Sequence, residues 1–305
     1  MRALPLVVLG LMLLLLPSRA RADDATTFVE WRATDDRVLA LQTALTTSAD
    51  GKPLTSVKVQ PLDDQLSPKG KPIAVYDGPR VVAHLAIRAG SAAVLMYRGG
   101  AAPFVKVALV DLTTEKLLKI IELPRTAPSG HQPTSAIACA DADGFTLLWQ
   151  EQSPLNPQDV SATMARVKAD GTVVKKPTTV AIPWSLGAIV DDGRGYTLAV
   201  RYDGGAVDQT RLCFVTLTYD GAPEQHPWWG ARPTLVGDVQ LTRVGAVVTA
   251  TYRAGAAGES ILSVDADKLT GQWGKEPPEG RVLSKKTSGA FATRVKNGAL
   301  ELVKN

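Results

Sequence analysis

Apolar residues occur in short runs along most of this chain. From Asp23 onward, almost every run is rich in β-branched side chains and is bounded by Gly, Asp, Asn or Pro, as β-strands are. The runs that predict strands are Val81–Ile87, Ala93–Tyr97, Val105–Val110, Phe145–Trp149, Ala162–Val167, Tyr196–Tyr202, Leu212–Tyr219, Ala246–Tyr252 and Ile261–Val264. Leu112–Ile121 has helix-like spacing but fits two strands and a turn equally well. The pattern therefore predicts an all-β chain.

Three features recur with a period near fifty residues. A proline opens each unit, at Pro79, Pro133, Pro183 and Pro233. An aromatic residue followed by a polar one ends the second strand, at Trp31, Tyr97, Trp149, Tyr202 and Tyr252. A turn follows the third strand, at Asp50-Gly51, Asp170-Gly171 and Asp220-Gly221, with Thr114-Glu115 and Leu269-Thr270-Gly271 in the equivalent places. We interpret the aromatic set as packing between units.

One complete unit shows what the repeat predicts. Its strands are Pro133–Ala140, Phe145–Gln150, Val160–Lys168 and Thr172–Ala181, with short turns between the first two and the last two. Such a four-stranded antiparallel meander cannot bury both of its faces alone, so the units are expected to stack against one another.

Four-stranded units of this length resemble the blades of a β-propeller, and the Gly144–Glu151 and Gly195–Val200 strands resemble those of uncharacterised bacterial secreted propellers. The resemblance implies one propeller domain over residues 23–305. We expect about five blades, with six as the alternative. The segments Ser288–Val295 and Ala299–Val303 are expected to complete one blade together with N-terminal strands. WD40 and kelch signatures are absent from the sequence.

The first 22 residues have the pattern of a secretory signal peptide. Arg2 precedes an apolar run from Leu4 to Leu16, Pro17 follows it, and the small residues Ala20 and Ala22 suit a signal peptidase. The run is too short for a typical transmembrane helix, although an uncleaved anchor is the alternative. We expect cleavage before Asp23 and a soluble, periplasmic or extracellular protein.

Cleavage changes the charge of the chain. The formal charge of the whole chain is +4, but residues 1–22 carry three arginines and no acid, which leaves 31 basic against 30 acidic side chains. No basic run remains that favours nucleic acid as a partner. The two cysteines, Cys139 and Cys213, lie in apolar strands of different units, so we interpret them as two buried small hydrophobic residues, with a disulfide formed after export as the alternative.

Aromatic and basic residues collect where one unit leads to the next. In propellers these connections lie on the face where ligands usually bind, and exposed Trp beside Arg can stack on a sugar or seat a partner's side chain. The alternative is that the tryptophans fill gaps between blades. The candidate ligand-binding residues are Trp184, Trp228, Trp229, Arg232, Arg80 and His131.

Other chemistry finds little support in the sequence. Asp141-Ala-Asp143-Gly144 resembles the start of a calcium loop, but no Glu completes it and Asp and Gly are common turn formers. His84 is expected to be structural, while His131 and His226 lack metal-ligand spacing, so no metal or cofactor is predicted. No nucleophile motif is present.

The preferred hypothesis is an exported module that binds a protein or a glycan without catalysis. The alternatives are a polysaccharide hydrolase or lyase on a propeller scaffold and a structural member of an envelope assembly.

Overall fold

The computed structural model describes residues 26–33, 37–63, 68–182, 184–203, 210–223, 228–229, 240–244, 247–253, 259–265, 270–273, 282–285, 292–296 and 299–303. These residues form strands and connections and contain no helix. The predicted signal peptide, residues 1–22, lies outside them. No helix in the described part of the chain is long and apolar enough to cross a membrane.

Each sheet is built from strands that follow one another in the chain, and all pairs are antiparallel. The first sheet comprises β1 (Thr26–Ala33), β2 (Val38–Thr47), β3 (Pro53–Leu62) and β4 (Ile73–Pro79). The second comprises β5 (Val82–Arg88), β6 (Ser91–Arg98), β7 (Phe104–Asp111) and β8 (Lys116–Glu122). The third comprises β9 (Gln132–Ala140), β10 (Gly144–Gln152), β11 (Val160–Lys168) and β12 (Val173–Val180).

Three more sheets follow among the described residues. The fourth comprises β13 (Ser185–Asp191), β14 (Gly195–Asp203), β15 (Thr210–Thr218) and β16 (Trp228–Trp229). The fifth comprises β17 (Gln240–Val244), β18 (Val247–Arg253), β19 (Glu259–Asp265) and β20 (Thr270–Trp273). The sixth comprises β21 (Val282–Lys285), β22 (Ala292–Lys296) and β23 (Ala299–Val303).

Successive sheets stack face to face because their central strands are apolar on both faces. In β6, Ala92, Val94 and Met96 pack toward the first sheet, whereas Ala93, Leu95 and Tyr97 pack toward the third. A third apolar layer fills the space between the third and fourth sheets. The first strands of successive sheets also contact one another, from β1 through β17. This serial stacking of antiparallel meanders is the arrangement of a β-propeller, so the predicted fold class is confirmed.

The termini are arranged differently from the expectation of a shared blade. The described strands form six sheets, which matches the alternative count, and the N-terminal and C-terminal strands lie in separate sheets. The incorrect assignment of the N-terminal strands to a shared blade arose from the Asp50-Gly51 turn. Its turn joins β2 to β3, whereas Asp170-Gly171 and Asp220-Gly221 follow third strands. An Asp-Gly turn suits any tight hairpin, and counting this one with the others moved the first sheet by one strand.

The glycines of the later turns have a second role beyond their positive φ. Gly171 and Gly221 have φ of 88° and 79°, and Glu115 takes the equivalent position with φ of 52°. A Cβ at Gly221 would lie 2.8 Å from Val180 Cγ1 of the preceding sheet, but a Cβ at Gly51 would meet nothing within 4 Å. The turns after third strands therefore help to pack one sheet on the next.

The aromatic set is placed between sheets where its side chains are described. Tyr97 and Trp149 are both buried in the layer between the second and third sheets. They enter it from opposite sides, so they are not equivalent positions of one repeat. Cys139 and Cys213 are both buried, as the preferred interpretation predicts, and no disulfide joins them.

Candidate functional site

The connections between sheets, called junctions below, share one edge of the molecule's sheets with the connections between second and third strands. This follows from the alternating direction of the strands in each meander. The first junction, between β4 and β5, contains only Arg80 and Val81. The second runs from Leu123 to His131, and the third covers residues 181–184. The three junctions therefore cover their sheet edges to different extents.

The second junction is closed by its own side chains. Arg125 donates from Nε to Glu151 Oε1 and from Nη2 to the carbonyl oxygen of His131. Glu151 is fully buried, so this pair neutralises a carboxylate that water cannot reach. Thr126 Oγ1 lies 2.6 Å from Thr163 Oγ1. These contacts fix the segment over the layer between the second and third sheets.

His131 belongs to this closed junction. Its side chain is 6% exposed, and its Nε2 lies 3.3 Å from Asp159 Oδ1, outside hydrogen-bond geometry. Nearby, Gln132 Oε1 accepts a hydrogen bond of 2.8 Å from the backbone N–H of Gly100. The burial of His131 means that a ligand could reach its imidazole only after the junction moved, which weakens its assignment as a ligand-binding residue.

The third junction is closed by packing and by one glutamine. Ile182 is buried, and Trp184 packs against the layer between the third and fourth sheets. The buried Gln150 donates from Nε2 to the carbonyl oxygen of Trp184 and accepts a hydrogen bond of 3.1 Å from the backbone N–H of Leu186. This placement favours the alternative in which Trp184 fills a gap between blades.

The first junction is short and leaves polar and aromatic side chains accessible. Val81 is buried, and its N–H donates to Thr55 Oγ1 at 3.2 Å, which holds the junction against the first sheet. Arg80, by contrast, is exposed. Tyr76 on β4 and Phe104 on β7 are partly exposed, with ring centroids 6.4 Å apart and planes inclined by 53°.

The Tyr76 ring folds back over its own strand. Its hydroxyl donates to the carbonyl oxygen of Pro79 at 2.9 Å. A Cβ at Gly78 would lie 3.0 Å from the Tyr76 hydroxyl oxygen, so the ring occupies the space that a side chain there would need. Burial raises the pKa of Tyr76, while the positive charge of Arg98 lowers it and Asp77 raises it.

Two further cations surround these rings. Arg98 lies directly opposite Phe104 across the β6–β7 pair, so both side chains project from the same face of the second sheet. Lys106 Nζ lies 4.6 Å from the Phe104 ring centroid and 3.2 Å from Glu122 Oε2. Arg98 is half-buried, and no described residue forms a hydrogen bond or ion pair with it. We call Tyr76, Arg80, Arg98, Phe104 and Lys106 the first-junction cluster.

The candidate ligand-binding residues predicted from the sequence therefore do not lie together in one site. Arg80 lies in the first-junction cluster, His131 and Trp184 lie in closed junctions, and Arg232 is outside the described residues. Trp228 and Trp229 form β16, which pairs with Cys213 and Phe214, so they belong to a fourth strand and not to a junction. The prediction that they lie on a junction was wrong in its placement.

The acidic turns hold their aspartates in local hydrogen bonds. Asp141 accepts hydrogen bonds from the backbone N–H groups of Asp143 and Gly144 and from the hydroxyls of Thr146 and Tyr196. Asp192 repeats the pattern toward residues 194, 195 and 197. These bonds occupy the oxygens that a calcium ion would need. The described residues contain no group of three or more His, Cys, Asp or Glu suited to a metal.

His84 also has a partner within the fold. Its Nδ1 lies 3.5 Å from Glu30 Oε2, and its ring lies parallel to Tyr97 at 6.2 Å. Burial opposes ionisation of Glu30, but Arg32 and His84 outweigh it and lower the pKa of the carboxyl. This pairing of β1 with β5 supports the structural role predicted for His84.

Comparisons with known proteins give similarity to solved structures only. The β-propeller domain of the Trilobed protease from Pyrococcus furiosus is 11% identical, with a TM-score of 0.47, and the match covers 90% of this chain and 81% of that one. TolB from Acinetobacter baumannii is 12% identical, with a TM-score of 0.45 over 81% of this chain and 54% of that one. Acylaminoacyl peptidase from Pyrococcus horikoshii is 10% identical, with a TM-score of 0.45 over 90% and 44%.

No protein-family model matches the chain, and no curated protein matches it. The chain spans about half the length of the first solved structures that it matches. At these TM-scores and identities the similarities carry no information about function, which has to be inferred from the residues themselves.

Proposed function

We propose that this chain is an exported binding module that holds a protein or glycan ligand at the first-junction cluster and performs no chemistry. The observation that carries the proposal is Arg98, a half-buried guanidinium without a hydrogen-bond or ion-pair partner among the described residues, beside two partly exposed rings. Because Arg98 is partly exposed, water solvates its donors in the free protein, and a ligand that supplies a carboxylate or another acceptor can replace that water with a charge-assisted hydrogen bond.

The test is a thermal-melting screen of the purified protein against oligosaccharides and candidate partner proteins. A ligand at about a hundred times its Kd adds about 2.7 kcal/mol to the free energy of unfolding, a readily measured shift in midpoint. We expect the shift to disappear in Phe104→Ala and to persist in Trp184→Phe, since Trp184 lies in a closed junction. A shift of equal size in both variants would place the ligand elsewhere.

Export is a separate part of the proposal, supported by residues 1–22 alone. N-terminal sequencing of the protein recovered from a bacterial periplasm or medium is expected to begin at Asp23. Recovery of the intact N-terminus in the membrane fraction would instead indicate an uncleaved anchor.

A further inference from the structure

We infer that the ligand of the first-junction cluster is an acidic saccharide, whose carboxylate binds Arg98 and whose ring stacks on Tyr76 or Phe104. The inference rests on the proposed function and specifies its ligand. Carboxylates bind guanidinium groups through short, charge-assisted and often bidentate hydrogen bonds, and no described residue forms a hydrogen bond or ion pair with Arg98.

The charges around the cluster favour an anion over a neutral ligand. Arg80, Arg98 and Lys106 contribute three positive charges. Lys106 is paired with Glu122, but the Glu122 side chain is 67% exposed, so water screens that pair strongly. Asp77 is exposed as well. The positive side chains therefore outnumber the acidic ones at this junction.

The rings favour a saccharide over a peptide. Tyr76 and Phe104 are partly exposed and tilted with respect to each other, and the part of each ring that is not packed against the core can contact one sugar ring. A protein partner of ordinary affinity covers about 800 Å² on each side and needs a larger apolar centre. Among the large apolar side chains whose exposure the structure describes, Leu155 is the most exposed at 94%, and it lies on the connection between β10 and β11 in the third sheet, at the second junction.

The experiment is isothermal titration calorimetry of the purified protein with a trimer of galacturonic acid. Its matched partner is the same trimer with every carboxylate methyl-esterified. We expect binding of the acid to weaken at least about tenfold on esterification, as expected for the loss of a charge-assisted hydrogen bond. Arg98→Gln is expected to weaken binding of the acid to the same extent, and Lys116→Gln, at the opposite edge of the same sheet, to leave it unchanged.

Further measurements separate the two roles of the cluster. Phe104→Ala is expected to weaken binding of the acid and of its ester alike, because it removes a stacking surface and leaves Arg98 in place. Equal affinity for acid and ester, or no effect of Arg98→Gln, would overturn the inference. Absence of binding by the acidic trimer would overturn it as well.

A third ligand, a hexaglutamate peptide, distinguishes failure of this inference from failure of the proposed function. Binding of the peptide at least as tight as that of the trimer, lost in Arg98→Gln, would reject the saccharide and retain a ligand site at the first junction. If none of the three ligands binds and the melting screen shows no Phe104-dependent shift, both the inference and the proposed function fail.

Discussion

Two half-buried arginines on the same edge of the molecule differ in what surrounds them. Arg125 at the second junction donates to a buried carboxylate and to a backbone carbonyl, whereas Arg98 at the first junction has no such partner among the described residues. The difference follows from the lengths of the two junctions. A long connection carries its own side chains back over the sheet edge, while the two residues of the first junction only bridge the gap. The short first junction thus leaves Arg98, at the end of β6, without a protein partner among the described residues.

The largest expected effect comes from breaking the closed junction. Arg125→Ala leaves Glu151 as a fully buried carboxylate without a cation, which is expected to cost about 3–5 kcal/mol in the free energy of unfolding. Urea titration measures the loss. Combining this variant with Glu151→Gln is the control, because the amide carries no charge, and it should restore part of the stability. A loss below about 1 kcal/mol would show that the second junction is not closed by this pair.

A smaller loss is expected at the third junction. Gln150→Ala removes the hydrogen bonds that the buried side chain makes to the backbone of Trp184 and Leu186, at a cost of about 2 kcal/mol. The exposed Gln158→Ala is the matched control. If the two variants were equally stable in urea, the glutamine would not hold this junction closed.

Asp141, at the opposite edge of the sheets, is an acid whose hydrogen bonds can be tested by the pH dependence of stability. Burial opposes ionisation of Asp141, but hydrogen bonds from Arg166 and Thr146 outweigh it and lower the pKa of the carboxyl in the folded state. Its contribution to stability is therefore present above the unfolded pKa of about 4 and is lost as pH falls through the folded value.

Asp141→Asn is accordingly expected to be less stable than the wild type at pH 7, with the difference shrinking toward pH 2. Urea titrations at the two pH values measure it. A difference that stayed constant would mean that the charge of Asp141 contributes nothing and that the turn needs only its hydrogen bonds.

The smallest effect is expected at the open junction. Arg98→Gln removes no hydrogen bond or ion pair, so the free energy of unfolding should change by less than about 0.5 kcal/mol. Urea titrations of Arg98→Gln and Arg125→Ala under the same conditions compare the two losses of stability. A loss comparable to that of Arg125→Ala would contradict the open site.

Much of the fold could be predicted because local pattern decides it. Strand three of the worked unit, Val160–Lys168, coincides with β11, and the turn glycines 171 and 221 have the positive φ that an Asp-Gly turn requires. The first sheet was assigned incorrectly because the Asp50-Gly51 turn indicates a tight hairpin but does not indicate which two strands of the sheet the hairpin joins. β4 was missed, although Ile73 and Val75 alternate with exposed residues as strand residues do.

The candidate site was predictable only in part. The sequence predicted Arg80 as a site residue because it follows the proline that opens a unit. Arg98 follows the recurring aromatic Tyr97, but a polar residue follows every member of that set, so this pattern did not distinguish Arg98 from the others. Phe104 and Tyr76 belong to different sheets, and their rings come into contact only because the first two sheets pack face to face. Whether a junction is closed depends on which side chain folds back onto which sheet, as Arg125 does, and one sequence does not encode that in any local pattern.

The most direct test of the account is the thermal midpoint of the wild type and of Arg98→Gln, each with and without ligands of the screen. The account predicts equal midpoints without ligand and an upward shift with an anionic ligand in the wild type alone. Equal shifts in both proteins, or a lower midpoint of Arg98→Gln without ligand, would contradict the claim that the first junction is an open ligand site.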